Sequence, residues 1–144
     1  MKTEAQQSKP QPVLYILMRT DLDSMNPGKA MAQAAHAANQ FQTVIQTYQD
    51  KVKALYEQWA SESNGGGFGT TIVLDAGNEV LIQEFVETAR MKMQCVAGIV
   101  TDETYPIQDG KVVWTLPVIT CGFIFGDKNN SKLRDLLDIL SLHY

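Results

Sequence analysis

Residues 13–40 read VLYILMRTDLDSMNPGKAMAQAAHAANQ, and the change of texture inside this stretch decides the fold class. Val13 to Arg19 is a short apolar run with β-branched and aromatic members, the pattern of a buried strand. A loop follows from Thr20 to Asn26. Asn26 then offers a good N-cap, and Pro27 suits the first helical position, where its missing N–H costs nothing. The alanine-rich stretch from Gly28 to about Tyr48 is strongly helix-prone.

Working outward, Asp50 to about Ala60 places Val52, Leu55, Tyr56 and Trp59 at helical spacing, which predicts a second helix. Ser61 to Gly69 (SESNGGGFG) reads as a connector. Thr70 to Leu74 is expected to be a second strand. Glu79 to Met91 is expected to be a helix with Leu81, Ile82, Phe85 and Ala89 inward. Val96 to Val100 reads as a third strand, Thr101 to Lys111 as a polar loop, and Val118 to Phe125 as a fourth strand. Asn130 or Ser131 caps a last helix with Leu133, Leu136, Leu137 and Leu140 inward. The order β-α-α-β-α-β-β-α predicts an α/β fold, three-layer α/β/α, with a small mixed four-stranded sheet.

The chain has 144 residues, enough for one domain. Met1 to Gln11 is polar and lacks the apolar run of a signal peptide. Residues 1–12 are therefore expected to be a disordered tail and 13–144 the folded domain. No run approaches the ~20 apolar residues of a membrane span, so the expected location is the cytoplasm and no membrane partner is foreseen. Cys95 and Cys121 each sit beside apolar residues and are expected to be free thiols. Two His and two Cys offer no zinc-ligand spacing, so no metal is foreseen. A net charge of −4 counts mildly against a general nucleic-acid binder, although an acidic average can hide a local basic patch.

The first helix carries the most chemistry. At 100° per residue, Lys29, Gln33, His36 and Gln40 fall within a ~60° stripe. Met31, Ala34, Ala38, Phe41 and Ile45 fall on the other side and are expected to face the sheet. Lys29 lies in the first turn, where the helix dipole disfavours a cation by some tenths of a kcal/mol. It is either a solvated lysine that tolerates this cost or part of an anion site. In the second reading its ammonium and the free N–H groups near Gly28 converge on a phosphate or a developing oxyanion. His36 is a proton-handling candidate on the same stripe. The glycines from Gly65 to Gly69 are not a phosphate loop, because no Lys-Ser/Thr pair follows and the stretch runs into a strand. No G-x-S-x-G elbow supports a serine nucleophile.

Arg19-Thr20-Asp21-Leu22, Gly28-Lys29, Ala32-Gln33 and His36-Ala37-Ala38 together resemble the opening signature of the archaeal and eukaryotic-type (class II) peptidyl-tRNA hydrolases. That signature is an Arg-Thr-Asp-Leu segment followed by Gly-Lys-x-x-Ala-Gln-x-x-His-Ala. The resemblance continues less tightly from Leu14 onward, through Trp59, Asn78-Glu79 to Leu81 and the closing leucine-rich helix. It implies hydrolysis of the ester joining a peptide to the 3′ ribose of tRNA, with peptidyl-tRNA as partner and no cofactor. In the family a strand-end aspartate and a threonine on the next strand join the helix lysine. By order along the chain these resemble Asp102 and Thr120, whereas the literal Asp75-Ala76-Gly77 follows the second strand and is the wrong element.

The resemblance implies a role for each matched residue. Asp102 orients water or acts as general base, and Lys29 stabilises charge. Thr120 and Gln33 hydrogen-bond substrate or water, and His36 orients from behind them. Arg19, Asp21 and Gly28 are the remaining substrate-binding positions. The chain departs from the family where glycine and threonine follow the aspartate by two and four places; Thr104 and Pro106 stand there. A catalytically weak or inactive tRNA- or protein-binding module of the same fold is the alternative, and a hydrolase of another small ester or amide a third. A homodimer is left open.

Overall fold

The computed structural model describes residues 9–48 and 50–143. In chain order the elements are β1 (Pro12–Arg19), α1 (Pro27–Ile45), α2 (Asp50–Ser61), β2 (Thr71–Gly77), α3 (Glu79–Lys92), β3 (Val96–Asp109), β4 (Val112–Asp127), α4 (Ser131–Leu137) and β5 (Ser141–Leu142). One mixed sheet runs β3-β4-β1-β2-β5, with β1 and β2 parallel and the remaining pairs antiparallel. β1 is central and buried along almost its whole length, as its uninterrupted apolar letters require.

Alternate residues of β1 feed two cores. Leu14, Ile16 and Met18 pack with Ala37, Phe41 and Ile45 of α1 and Trp59 of α2. Val13, Tyr15 and Leu17 pack with Ile82 and Val86 of α3 and Leu133 and Leu137 of α4. Helices thus cover both faces. Gly122 and Gly126 of β4 allow α3 and α4 to sit close, because a Cβ there would lie 2.8 Å from Val86 and 2.7 Å from Leu133 respectively.

The first core is organised around Phe41, whose ring lies 4.9 Å from Phe125, 5.4 Å from Trp59 and 5.9 Å from both Tyr56 and Phe123. Phe41→Ala should cost about 3–5 kcal/mol, the range for truncating a buried aromatic. Urea denaturation checks this, as a drop in midpoint at unchanged m-value.

Four expectations need correction. The sheet has five strands, because β5 adds to β2 through Leu74–Leu142 and Asp75–Ser141. The supposed loop from Thr101 to Lys111 is a long two-stranded arm. β3 continues to Asp109, turns at Gly110 and Lys111, and returns as β4, with Ile107 opposite Trp114 and Tyr105 opposite Leu116. Gly110 takes a positive φ of 61°, as the first central residue of such a tight turn demands.

The third correction concerns α1, whose buried face is rotated by about 60° from the expected one while keeping Phe41 and Ile45. Ala30, Gln33, Ala37, Phe41 and Ile45 are buried, while Met31 is exposed. The fourth concerns the chain start. Residues 1–8 of the expected tail lie outside the described residues. The stretch from Lys9 to Pro12 is tied down: the Gln58 amide donates to the Pro10 carbonyl, the Gln11 N–H donates to Asp127, and Pro12 begins β1.

Candidate active site

Two irregularities in the β3–β4 pairing shape the site. Val100 faces Cys121 and Thr101 faces Ile119, so Thr120 is an extra residue on β4. Asp102 faces Val118 and Tyr105 faces Leu116, so β3 carries an extra residue just beyond Asp102. A bulge breaks the strict alternation of side chains. Accordingly both Thr120 and Cys121 turn toward α1, where the Thr120 hydroxyl lies 2.6 Å from Gln33 Oε1 and Cys121 Sγ lies 3.5 Å from the Gln33 carbonyl.

Gln33 is 3 % exposed and Thr120 fully buried, yet neither lacks a partner. Gln33 Nε2 donates to Asp102 Oδ2 at 2.7 Å, and Gln33 Oε1 accepts from Thr120. The amide orientation follows from chemistry. An ionised carboxylate only accepts, so Nε2 must face Asp102, Oε1 must face Thr120, and the Thr120 proton is committed to Gln33. Burial of Gln33 thus fixes one carboxylate oxygen of Asp102 against the helix.

Asp102 Oδ1 accepts the Thr104 N–H at 3.0 Å across the bulge, with the Thr104 hydroxyl 3.5 Å away. Burial by itself would raise the Asp102 carboxyl. The Gln33 amide, the Thr104 N–H, the coulombic pull of nearby His36 and the Thr104 hydroxyl together outweigh it and hold the group below its ordinary 3.8. Asp102 remains partly open to solvent and His36 is exposed. The carboxylate can therefore take a further hydrogen bond from outside.

Lys29 sits one helical turn above Gln33. Its backbone N–H is taken by the Asn26 side chain at 2.9 Å. The first turn therefore presents fewer free amides to an anion than the sequence suggested. The ammonium reaches the arm instead: Nζ donates to the Pro106 carbonyl at 3.0 Å and lies 5.2 Å from the centre of the buried Tyr105 ring. The Tyr105 hydroxyl is itself 3.0 Å from Ser24 Oγ. Asp23, Ser24, Asn26, Lys29, Ile107 and Gln108 border a cleft of about 510 Å³ between the α1 entry and the arm.

The remaining candidates divide. Arg19 clamps Asp21 through two 2.8 Å bonds, donates to the Ile119 carbonyl at 3.0 Å and lies 3.8 Å from Glu79. Three of its five N–H donors brace the ends of β1 and β4 beside Thr120. The same clamp lowers the Asp21 carboxyl below its usual range. A Cβ at Gly28 would meet only Asn26 Oδ1 at 3.5 Å, so the fold itself does not demand glycine there.

Asp75 pairs with His143, just past β5, and is no part of the Gln33 network. Burial pushes the Cys95 thiol to about 11 and the Cys121 thiol to about 12, so neither is a ready nucleophile. Among the described residues no three His, Cys, Asp or Glu cluster as metal ligands would, and no helix is long and apolar enough to cross a membrane.

Sequence reasoning missed Tyr105, the Pro106 carbonyl and the Thr104 amide. The departure from the family pattern at Thr104 and Pro106 marked their neighbourhood but not their contacts.

A family model described as peptidyl-tRNA hydrolase PTH2 matches residues 12–119. That span includes Arg19, Asp21, Gly28, Lys29, Gln33, His36 and Asp102, and it ends one residue before Thr120. No curated protein matches the chain.

Proposed function

Because the chain belongs to the PTH2 family of peptidyl-tRNA hydrolases, we propose that it hydrolyses the ester between a peptide or N-blocked amino acid and the 3′ ribose of tRNA. The observation that carries this reading is the buried bridge Asp102–Gln33–Thr120, with Lys29 one turn away on the same helix. Burying an amide and a hydroxyl only to hold one carboxylate suits a group that must stay in place for chemistry.

Asp102 takes a proton of the attacking water and aims its oxygen at the ester carbonyl carbon. A carboxylate held below its ordinary value is a weak base near neutral pH, so orientation outweighs proton abstraction in its contribution. Lys29 uses N–H bonds not taken by Pro106 to stabilise the negative charge that grows on the carbonyl oxygen. The ester C–O bond then breaks. The water oxygen leaves with the peptide as a carboxylate; the proton taken by Asp102 passes to the ribose oxygen, and the second water proton is released from the new carboxylic acid to solvent. Thr120 and Gln33 are positioning residues here, and His36 tunes Asp102 from the open side.

The test is release of labelled acetyl-phenylalanine from acetyl-phenylalanyl-tRNA by the purified protein, with free phenylalanyl-tRNA as control. Product should accumulate from the blocked substrate, and the free aminoacyl-tRNA should stay largely intact. Confirmed tRNA binding without product at micromolar protein would overturn the hydrolase reading and leave a binding module.

A further inference from the structure

The β3–β4 arm has one face directed toward Lys29, and the described residues leave most of that face uncovered. Directly paired residues of antiparallel strands share a side. Tyr105 and Ile107 therefore share a side with their partners Leu116 and Trp114. The Tyr105 ring lies beneath the Lys29 ammonium, and Ile107 borders the cleft that Lys29 enters. Continuing outward along the same side, Trp114 is 55 % and Leu116 46 % exposed. An exposed tryptophan continuous with a site is the kind of surface that binds a ligand, since solvation alone does not favour it.

Charge decides what that ligand is. Between Thr101 and Leu116 the arm carries Asp102, Glu103 and Asp109 against the single cation Lys111, and the cleft adds Asp23 and Lys29, so four carboxylates face two ammonium groups. These carboxylates repel a phosphodiester chain and leave an uncharged apolar group as the fitting occupant. We infer that the Ile107–Trp114–Leu116 face receives the apolar side chain of the amino acid whose carbonyl is attacked, so the arm selects the peptide moiety of the substrate and not its RNA. This inference rests on the ester-hydrolase reading for its chemistry, but the surface itself can be tested without turnover.

The first experiment compares acetyl-phenylalanyl-tRNA with acetyl-glycyl-tRNA. Wild type should favour the phenylalanyl ester by about tenfold or more in kcat/KM, the scale of filling an apolar subsite. Trp114→Ala, at an exposed position that the fold does not need, should bring that ratio close to one through KM. An unchanged ratio, including the case where both rates fall together, would place the arm on the tRNA and overturn the inference.

The second experiment titrates N-acetyl-phenylalaninamide and reads tryptophan emission. Trp59 is buried and Trp114 exposed, so a blue shift on binding reports Trp114. The shift should appear with wild type, be absent with N-acetyl-glycinamide, and be absent in Trp114→Phe. No shift in wild type at tens of millimolar ligand would refute the subsite. A clear shift in a protein that turns over neither ester would instead sink the hydrolase reading and leave the apolar subsite standing.

Discussion

Replacing Lys29 by alanine should lower kcat/KM on acetyl-phenylalanyl-tRNA at least ~100-fold, the scale of a lost oxyanion donor. The lysine stands in a first helical turn, where the dipole disfavours its charge, and this cost is offset by contacts that lie across the cleft and not along the helix. The Pro106 carbonyl and the Tyr105 ring hold the ammonium from one side and leave N–H bonds directed elsewhere. Because Lys29 also ties the arm to α1, Lys29→Ala combines two losses. Lys29→Met keeps most of the side-chain bulk and removes only the charge and its donors. If both variants lose turnover alike while melting close to wild type, the charge is what matters. Full activity in Lys29→Met would remove the ammonium from the mechanism.

The elements legible in the sequence are those whose local signals and tertiary environment agree. Asn26, Asn78 and Asn130 are N-caps whose side chains accept from the first-turn amides, and each helix starts where its asparagine stands. The seam between β1 and α1 was legible for the same reason. The rotation of α1 was not, because a glutamine is counted as a solvated letter. Gln33 is buried only because Thr120 and Asp102 satisfy both ends of its amide, and those residues come from strands some 70–90 positions away along the chain. Nothing local to the helix reports that pairing.

The arm was hidden for a different reason. Most of Thr101–Leu116 reaches beyond the helical layers, so its strands lack the buried-exposed alternation by which half-buried strands are recognised. The signal that could have found it is Asp109-Gly110 followed by the β-prone letters from Val112 to Leu116. β5 has two residues, too few to display any period. Of the site candidates, Gln33, Asp102 and Thr120 meet directly, but their arrangement depended on two bulges, and bulges leave no mark in a single sequence. Asp102 could be preferred to Asp75 by element order alone. The structure gives the contrast physical content: one carboxylate is built into α1, the other into a pair with His143 at the opposite side of β1.

That contrast makes Asp102→Asn and Asp75→Asn the most discriminating pair of substitutions. Asp102→Asn should cost about 10²–10⁴-fold in kcat, the range for losing a positioned acid–base or orienting group. Asp75→Asn should stay within a few-fold of wild type. An asparagine at 102 keeps the size of the side chain but cannot satisfy both neighbours as a carboxylate does. Its oxygen can face Gln33 Nε2 or the Thr104 N–H, and its NH₂ must then meet the other donor. The bridge to Thr120 should loosen with it, so some loss of stability should accompany the loss of rate.

The pH profile separates the chemical loss from the structural one. The Asp102 carboxyl is held below its ordinary 3.8, so the ionised form is complete above that ordinary value and is lost only as pH falls through the lowered one. Wild-type kcat/KM should therefore show no acid limb from this group between neutrality and about pH 4.5, and fall only below. An acid limb centred near pH 6 that vanishes in Asp102→Asn would mean that the carboxyl is raised in the substrate complex and acts chiefly as a proton-abstracting base. Equal losses in Asp102→Asn and Asp75→Asn would break the assignment itself, because only one of the two carboxylates is joined to Gln33.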